Sequence, residues 1–325
     1  MVNRIGVPVG AGLASALLFV VTMKGTAIAM ALAYLAPLPI MIAALGWGAL
    51  SGVLACVIAC AGVAVVVEPL SGLLFALTIA LPGWALASFA ISPGARLPWR
   101  RGAAPPSEWT SVGAIVTLAA ALGALVSLGA LVALVVIYGG YEKGLQSFAE
   151  ALEPAIEEAA GGAALLPEGE TASDLALSLV RLAPAAIAGS TLLMFCVNLY
   201  AAARSAALSH RLRRPWPDLP TQFILPPALA ALALAALALA FALPAPASQF
   251  AWIVAGALGA AFALQGLAVL HALSRDLPLR PWLLAALYVC CFIRSNWILP
   301  AIAILGLIES FASLRARAAA SKSKV

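Results

Sequence analysis

The sequence predicts an all-α, polytopic integral membrane helical bundle, with about eight full spans plus a short C-terminal helical hairpin. Three observations carry that expectation. Hydrophobic residues make up 64% of the chain and charged residues only 10%, where soluble domains carry roughly 25% charge. The apolar residues fall in runs long enough to be membrane helices, each needing about 20 residues to cross the hydrocarbon core. Most basic residues sit in short loops between these runs, so the net charge of +5 reads as membrane orientation and not as nucleic-acid binding.

Taken in order, span one is expected over Val7–Met23, ending at Lys24-Gly25. No small-residue cleavage site follows it, which marks it as a retained helix. Thr26–Leu45, Gly46–Val67 and Ser71–Ile91 are the next three spans. The connection from Pro93 to Trp109 carries Arg96, Arg100 and Arg101, and the positive-inside rule assigns it to the cytoplasm together with Asn3-Arg4. Span five is Ser111–Ile137, span six Pro184–Arg204, span seven Phe223–Leu243 and span eight Phe250–His271. Between spans six and seven lies the most basic loop, with His210, Arg211, Arg213 and Arg214. The last apolar run, Trp282–Phe311, has basic residues on both sides and a polar break at Arg294-Ser295-Asn296. Two short helices, Trp282–Ile293 and Ile298–Phe311, satisfy both the charges and the break. The whole chain, 1–325, reads as a single integral membrane domain.

One segment departs from this pattern. Residues 138–182 hold eight of the thirteen acids, against only Lys143 and Arg181. An extracytoplasmic acidic insertion fits that charge balance. Leu145, Phe148, Ala149, Leu152 and Ile156 recur at helical spacing, so the insertion is expected to form an amphipathic helix on the membrane or over the bundle mouth.

Two stretches of interrupted helix stand out. Ala36–Gly62 is broken by Pro37, Pro39, Gly46, Gly48 and Gly52, and the second break is the one at Arg294. In lipid, backbone groups freed by such breaks need protein or cavity water as partners. Charged and amide groups inside apolar runs carry the same implication, because a charge at mid-bilayer costs about 2.5–3.5 kcal/mol on insertion scales. Lys24, Glu68, Asn198, Gln265, Arg294, Asn296 and Glu309 are therefore the candidate substrate-binding residues. For Lys24, Glu68 and Glu309 the competing reading is snorkelling at a helix end. Gly48 and Gly52 form a G-x-x-x-G pair that would let two helices pack closely. Arg211, Arg213 and Arg214 are the candidate partner-docking residues.

Enzyme signatures are missing. There is no G-x-x-x-x-G-K-[ST] phosphate loop, no H-E-x-x-H and no dinucleotide-binding glycine motif. The five cysteines lie inside apolar runs and suggest neither a disulfide framework nor a metal site. No catalytic residue, metal or cofactor is expected.

Several short motifs carry a family resemblance: Pro37-Leu-Pro39 through Gly48, Asn198-Leu-Tyr200, His210-Arg-Leu-Arg-Arg214, Phe223-Ile-Leu-Pro226, Gln265-Gly-Leu267, and Gly306-Leu-Ile-Glu309 with Leu314-Arg315. Together they resemble the YybS-like family of bacterial membrane proteins, in which the final acidic position is more usually an aspartate. The loop after Tyr138 lies outside that resemblance. The family is similar, more distantly, to substrate-binding S components of energy-coupling factor transporters. That likeness implies a ligand pocket near the outer face, an ATPase supplied by other chains, and a small-residue docking motif on the first helix, for which Gly12 and Ala16 are available.

The function expected from all this is an inner-membrane, transporter-like protein that binds a small molecule and hydrolyses nothing itself. Its partners would be the lipid bilayer, a small-molecule ligand and a separate ATPase or membrane protein, with no nucleic acid. Both termini of the multi-pass chain would be cytoplasmic. The alternative is a non-transporting assembly or scaffold protein that docks a partner through its basic cytoplasmic loops.

Overall fold

The computed structural model describes residues 3–93, 109–159 and 171–322. The expected cytoplasmic arginines Arg96, Arg100 and Arg101 lie outside the described residues, as do Glu168 and Glu170. The side chains of Asn3, Arg4 and Asn296 do too.

The described residues form helices throughout, with a single isolated bridge between Pro93 and Trp109. Seven helical segments are long and apolar enough to cross a membrane, or eight if a bent pair near the C-terminus counts as one. In chain order, α1 (Asn3–Val20) ends in a 3₁₀ turn, Val21–Lys24. The second span joins α2 (Ala27–Ala33) to α3 (Pro37–Trp47), and the third is α4 (Ala49–Val66). The fourth consists of α5 (Pro69–Phe75), a π turn at Ala76–Ala80, and α6 (Leu81–Ala90). Its buried residues Gly72, Phe75, Ala80 and Gly83 step by three, five and three, the wide step falling on the π turn. The fifth span is α7 (Val112–Tyr138), and the acidic helix α8 (Tyr141–Ala159) follows.

The sixth span, α9 (Ala172–Leu208), starts twelve residues before the expected Pro184. Thr171 and Asp174 explain the early start: each side chain accepts the other's backbone N–H at 3.1 Å, a reciprocal cap on the first turn. Residues 172–182 thus belong to this helix and not to the acidic insertion. A short α10 (Leu219–Gln222) precedes α11 (Pro227–Ala242), which has 16 residues, and then α12 (Ala247–Leu273). The expected C-terminal break is present: α13 (Arg280–Ile293) and α14 (Ser295–Ala312) are separated by Arg294 alone. A bend of 63° follows at Ser313, where the chain passes into α15 (Leu314–Lys322).

By contact density the chain divides into two units. The first contains 1–119, 192–226 and 262–325, and small residues set its helix spacing. A Cβ at Gly12 would lie 2.7 Å from the Ala55 carbonyl oxygen, so α1 and α4 meet backbone to side chain at that point. Ala16, one turn along, is buried in the same contact. Both residues that the resemblance offered for partner docking are therefore used inside the molecule. Gly52 does pack a helix closely, as expected, against Ala44 and Trp84. Gly48 does not: it occupies φ +98°, ψ 167° as the single residue between α3 and α4, a conformation that glycine alone adopts easily.

The second unit contains 120–191 and 227–261. Its α9 and α12 segments touch at Gly189 and Gly256, where an added Cβ on Gly256 would overlap the Ala185 carbonyl. The α11 helix, nearly all Ala and Leu, turns Ala230, Ala233, Ala236 and Ala240 inward. The α8 helix folds back against α7 through Gly144, whose missing side chain admits Leu134, and its buried residues are Tyr141, Gly144, Leu145 and Ala149. Phe148, expected on the apolar face, is half exposed and set edge-on to Tyr138 at 6.3 Å.

Candidate functional site

The buried polar side chains of unit 1 follow the helix breaks. Pro37 and Pro39 lack the N–H groups that would reach Ala33 and Leu35 in a regular ladder; the Ala36 and Leu38 N–H groups meet those carbonyls instead, and two side chains take up the carbonyls beside them. Ser15 donates to the Ala36 carbonyl at 2.6 Å, and the Asn198 amide donates to Tyr34 at 2.7 Å and to Met194 at 2.8 Å. Just past the Gly48 break, the Trp84 indole donates to Ala49 at 2.9 Å. Backbone without water must find such partners.

The extended residues that lead into α11 follow the same rule. The Leu225 N–H donates to Gln265 Oε1 at 2.6 Å, while Gln265 Nε2 donates to the Gly306 carbonyl at 2.7 Å and the Ser310 hydroxyl at 3.0 Å. Arg315 donates to Pro220 at 2.7 Å, to Phe223 at 2.9 Å, and through Nε to Glu309 at 2.8 Å. Both side chains of that ion pair are more than nine-tenths buried.

This accounts for three expected site residues. Asn198, Gln265 and Glu309 are indeed interior, but backbone carbonyls, a backbone amide and an arginine occupy them. Three others are exposed: Lys24 at the end of its 3₁₀ turn, Glu68 accepting from Ser71 at 3.1 Å before α5, and Arg294 between α13 and α14. Asn296 falls outside the described side chains.

The basic loop between α9 and α10 splits by function. Arg211 lies over the Trp47 ring, 5.4 Å from its centroid, and Arg213 stands exposed beside Gly48. Arg214 turns the other way. It is buried and donates to the carbonyls of Ala90 at 2.7 Å and Thr110 at 3.2 Å, so it is unavailable for the docking role expected of it. Its Nε is buried without a partner, and burial pulls its pKa below the ordinary arginine value. Further along the loop, Asp218 pairs with Arg275. The Thr221 hydroxyl, with that arginine, holds the carboxyl below its usual range.

Beside Arg214 lies a cavity of about 470 Å³, entirely within unit 1. Its walls are mostly apolar, including Leu45, Val112, Ile115, Val116, Val197, Leu264 and Leu267. Polar groups also reach it: Arg214, Tyr200 set edge-on to Trp216 at 5.6 Å, and His271 with Tyr288. His271 places Nδ1 2.9 Å from the Leu267 carbonyl and Nε2 3.2 Å from the Tyr288 hydroxyl. The Leu267 carbonyl can only accept, so Nδ1 is the donor there, while the Tyr288 hydroxyl can either donate to Nε2 or accept from it. Leu45 comes from the first interrupted stretch and Tyr288 from α13, ahead of the break at Arg294. Among the described side chains, none of the expected substrate-binding residues lines it. The cavity adjoins the basic loop between α9 and α10.

A family model described as "Predicted membrane protein (DUF2232)" matches residues 13–310. The chain belongs to that family. The DUF2232 match runs through the acidic helix α8 and ends at Ser310, before Arg315. No curated protein and no solved structure matches the chain.

Proposed function

We propose that this DUF2232 protein is the substrate-binding membrane subunit of a transporter, without an ATPase of its own. Its substrate would be an amphiphile with an apolar body and an anionic head. One observation carries the reading: a 470 Å³ apolar cavity with a buried arginine in its wall. A volume in this range, lined by apolar groups with a few polar ones, is typical of small-molecule sites. The guanidinium would meet the head, with Trp216, Tyr200 and the His271–Tyr288 pair beside it. The positive-inside rule would then put the mouth of the site at the cytoplasmic leaflet of a bacterial inner membrane, with both termini on that side. Partnership with a separate ATPase rests on the distant likeness to S components.

The test is mass spectrometry of what co-purifies with the protein. Wild type should retain an anionic amphiphile, and Arg214→Gln should lose it while Arg294→Ala keeps it. Equal retention in all three proteins would sink the reading. A scaffold role remains the second reading, favoured by Arg211 and Arg213, which stay exposed beside the α3–α4 break. Charge reversal at those two residues should leave ligand retention intact. If it abolishes capture of a stoichiometric protein partner, and no amphiphile is found, the scaffold reading takes precedence.

A further inference from the structure

A second pocket, of about 410 Å³, lies wholly within unit 2, among the first turn of α8, the body of α9 and the turn into α12. It differs from the first in chemistry. Glu142, Arg181, Tyr141, Ser248 and Gln249 all line it. Gln249 is only 5% exposed. Its Oε1 is buried with no partner. An unpaired buried acceptor is costly, and this one belongs to a side chain lining the pocket.

The charges at the rim add to this. Glu142 and Arg181 both line the pocket together with Tyr141. Yet no ion pair joins them among the described residues. Opposite charges that share a pocket without neutralising each other suit a ligand carrying both signs.

We propose that this pocket binds a small zwitterion, with its ammonium on Glu142 and Gln249 Oε1 and its acid group on Arg181. A soluble amino acid and the headgroup of phosphatidylethanolamine share that chemistry. The assignment does not depend on the function proposed for the unit 1 cavity.

The test uses the full-length protein in a non-ionic detergent, titrated with L-alanine and with O-phosphoethanolamine, and ethanolamine and acetate as single-charge controls. Both zwitterions should raise the unfolding temperature at concentrations where neither control does. Glu142→Gln, Arg181→Gln and Gln249→Leu should each weaken the effect by about tenfold or more, the loss of one hydrogen bond to a charged group. Glu150→Gln, on the exposed side of α8, should leave it unchanged. Binding of alanine in nanodiscs then separates the sources. Suppression by phosphatidylethanolamine discs but not phosphatidylglycerol discs identifies the headgroup, and equal binding in both identifies a soluble solute. The proposal is overturned if the single-charge controls match the zwitterions, or if Glu142→Gln and Arg181→Gln, both at exposed positions, bind like wild type.

Discussion

Gly306→Val is expected to abolish stable folding. The α12 and α14 helices meet so closely that a Cβ at Gly306 would overlap the Phe262 carbonyl oxygen, and one at Gly266 would overlap that of Ile302. In each case the obstacle is main chain, which cannot swing aside as a side chain can. Overpacking among side chains costs about 1–3 kcal/mol; here whole helices must separate, which also breaks the Gln265 bond to the Gly306 carbonyl. Fluorescence-detected size exclusion after detergent extraction should show no monodisperse peak. Gly259→Val, on the partner helix α12 with open space at its Cβ, should run as wild type. A monodisperse, thermally stable Gly306→Val protein would refute this contact.

Arg315→Leu should have the next largest effect, because Arg315 does two jobs. It neutralises the buried Glu309 carboxylate, and removing one partner of a buried ion pair costs about 3–5 kcal/mol. It also satisfies the Pro220 and Phe223 carbonyls. Pairing Arg315→Leu with Glu309→Leu should restore the part due to the uncompensated charge. The carbonyls stay unmet in the double variant, so recovery should be incomplete. Unfolding temperatures of the two single variants and the double variant decide it: full recovery would mean that the backbone contacts contribute nothing.

The span pattern was legible because lipid imposes a length and a polarity that few other environments require. The expected Ser71–Ile91 and the observed Pro69–Ala90 differ by two residues at one end and one at the other. The span over Pro184–Arg204 was set too short at its start, because Arg181 and Pro184 look like residues that precede a helix. Asp174 completes a cap, Arg181 is exposed, and Pro184 is accommodated within the helix. The interior position of Asn198, Gln265 and Glu309 was equally legible, but the identity of their partners was not. Asn198 meets Tyr34 across 164 residues of sequence, at the turn between α2 and α3. Periodicity and charge rules register a polar group in an apolar run; they do not register a carbonyl that has lost its donor. Arg214 was misplaced for the same reason, since a basic loop reads as solvated until its arginine is found capping Ala90 and Thr110. The cavity residues left fainter traces, of which Tyr200 and His271, each a polar ring near one end of a long apolar helix, were the most readable.

The π turn at Ala76–Ala80 gives the fourth span an unusual response to deletions. Elsewhere in a helix, losing one residue rotates everything beyond it by about 100° and turns the buried face outward. A π turn is in effect one surplus residue held in an otherwise regular helix. Deleting Leu77, Thr78 or Ile79 would shorten the step from Phe75 to Ala80 from five to four, an ordinary α-helical spacing. The faces that carry Gly72 and Phe75 before it, and Gly83 and Leu86 after it, would stay aligned. In a systematic single-deletion library, these three positions should therefore form a short window of tolerance, flanked on both sides by positions where a deletion prevents accumulation of the protein.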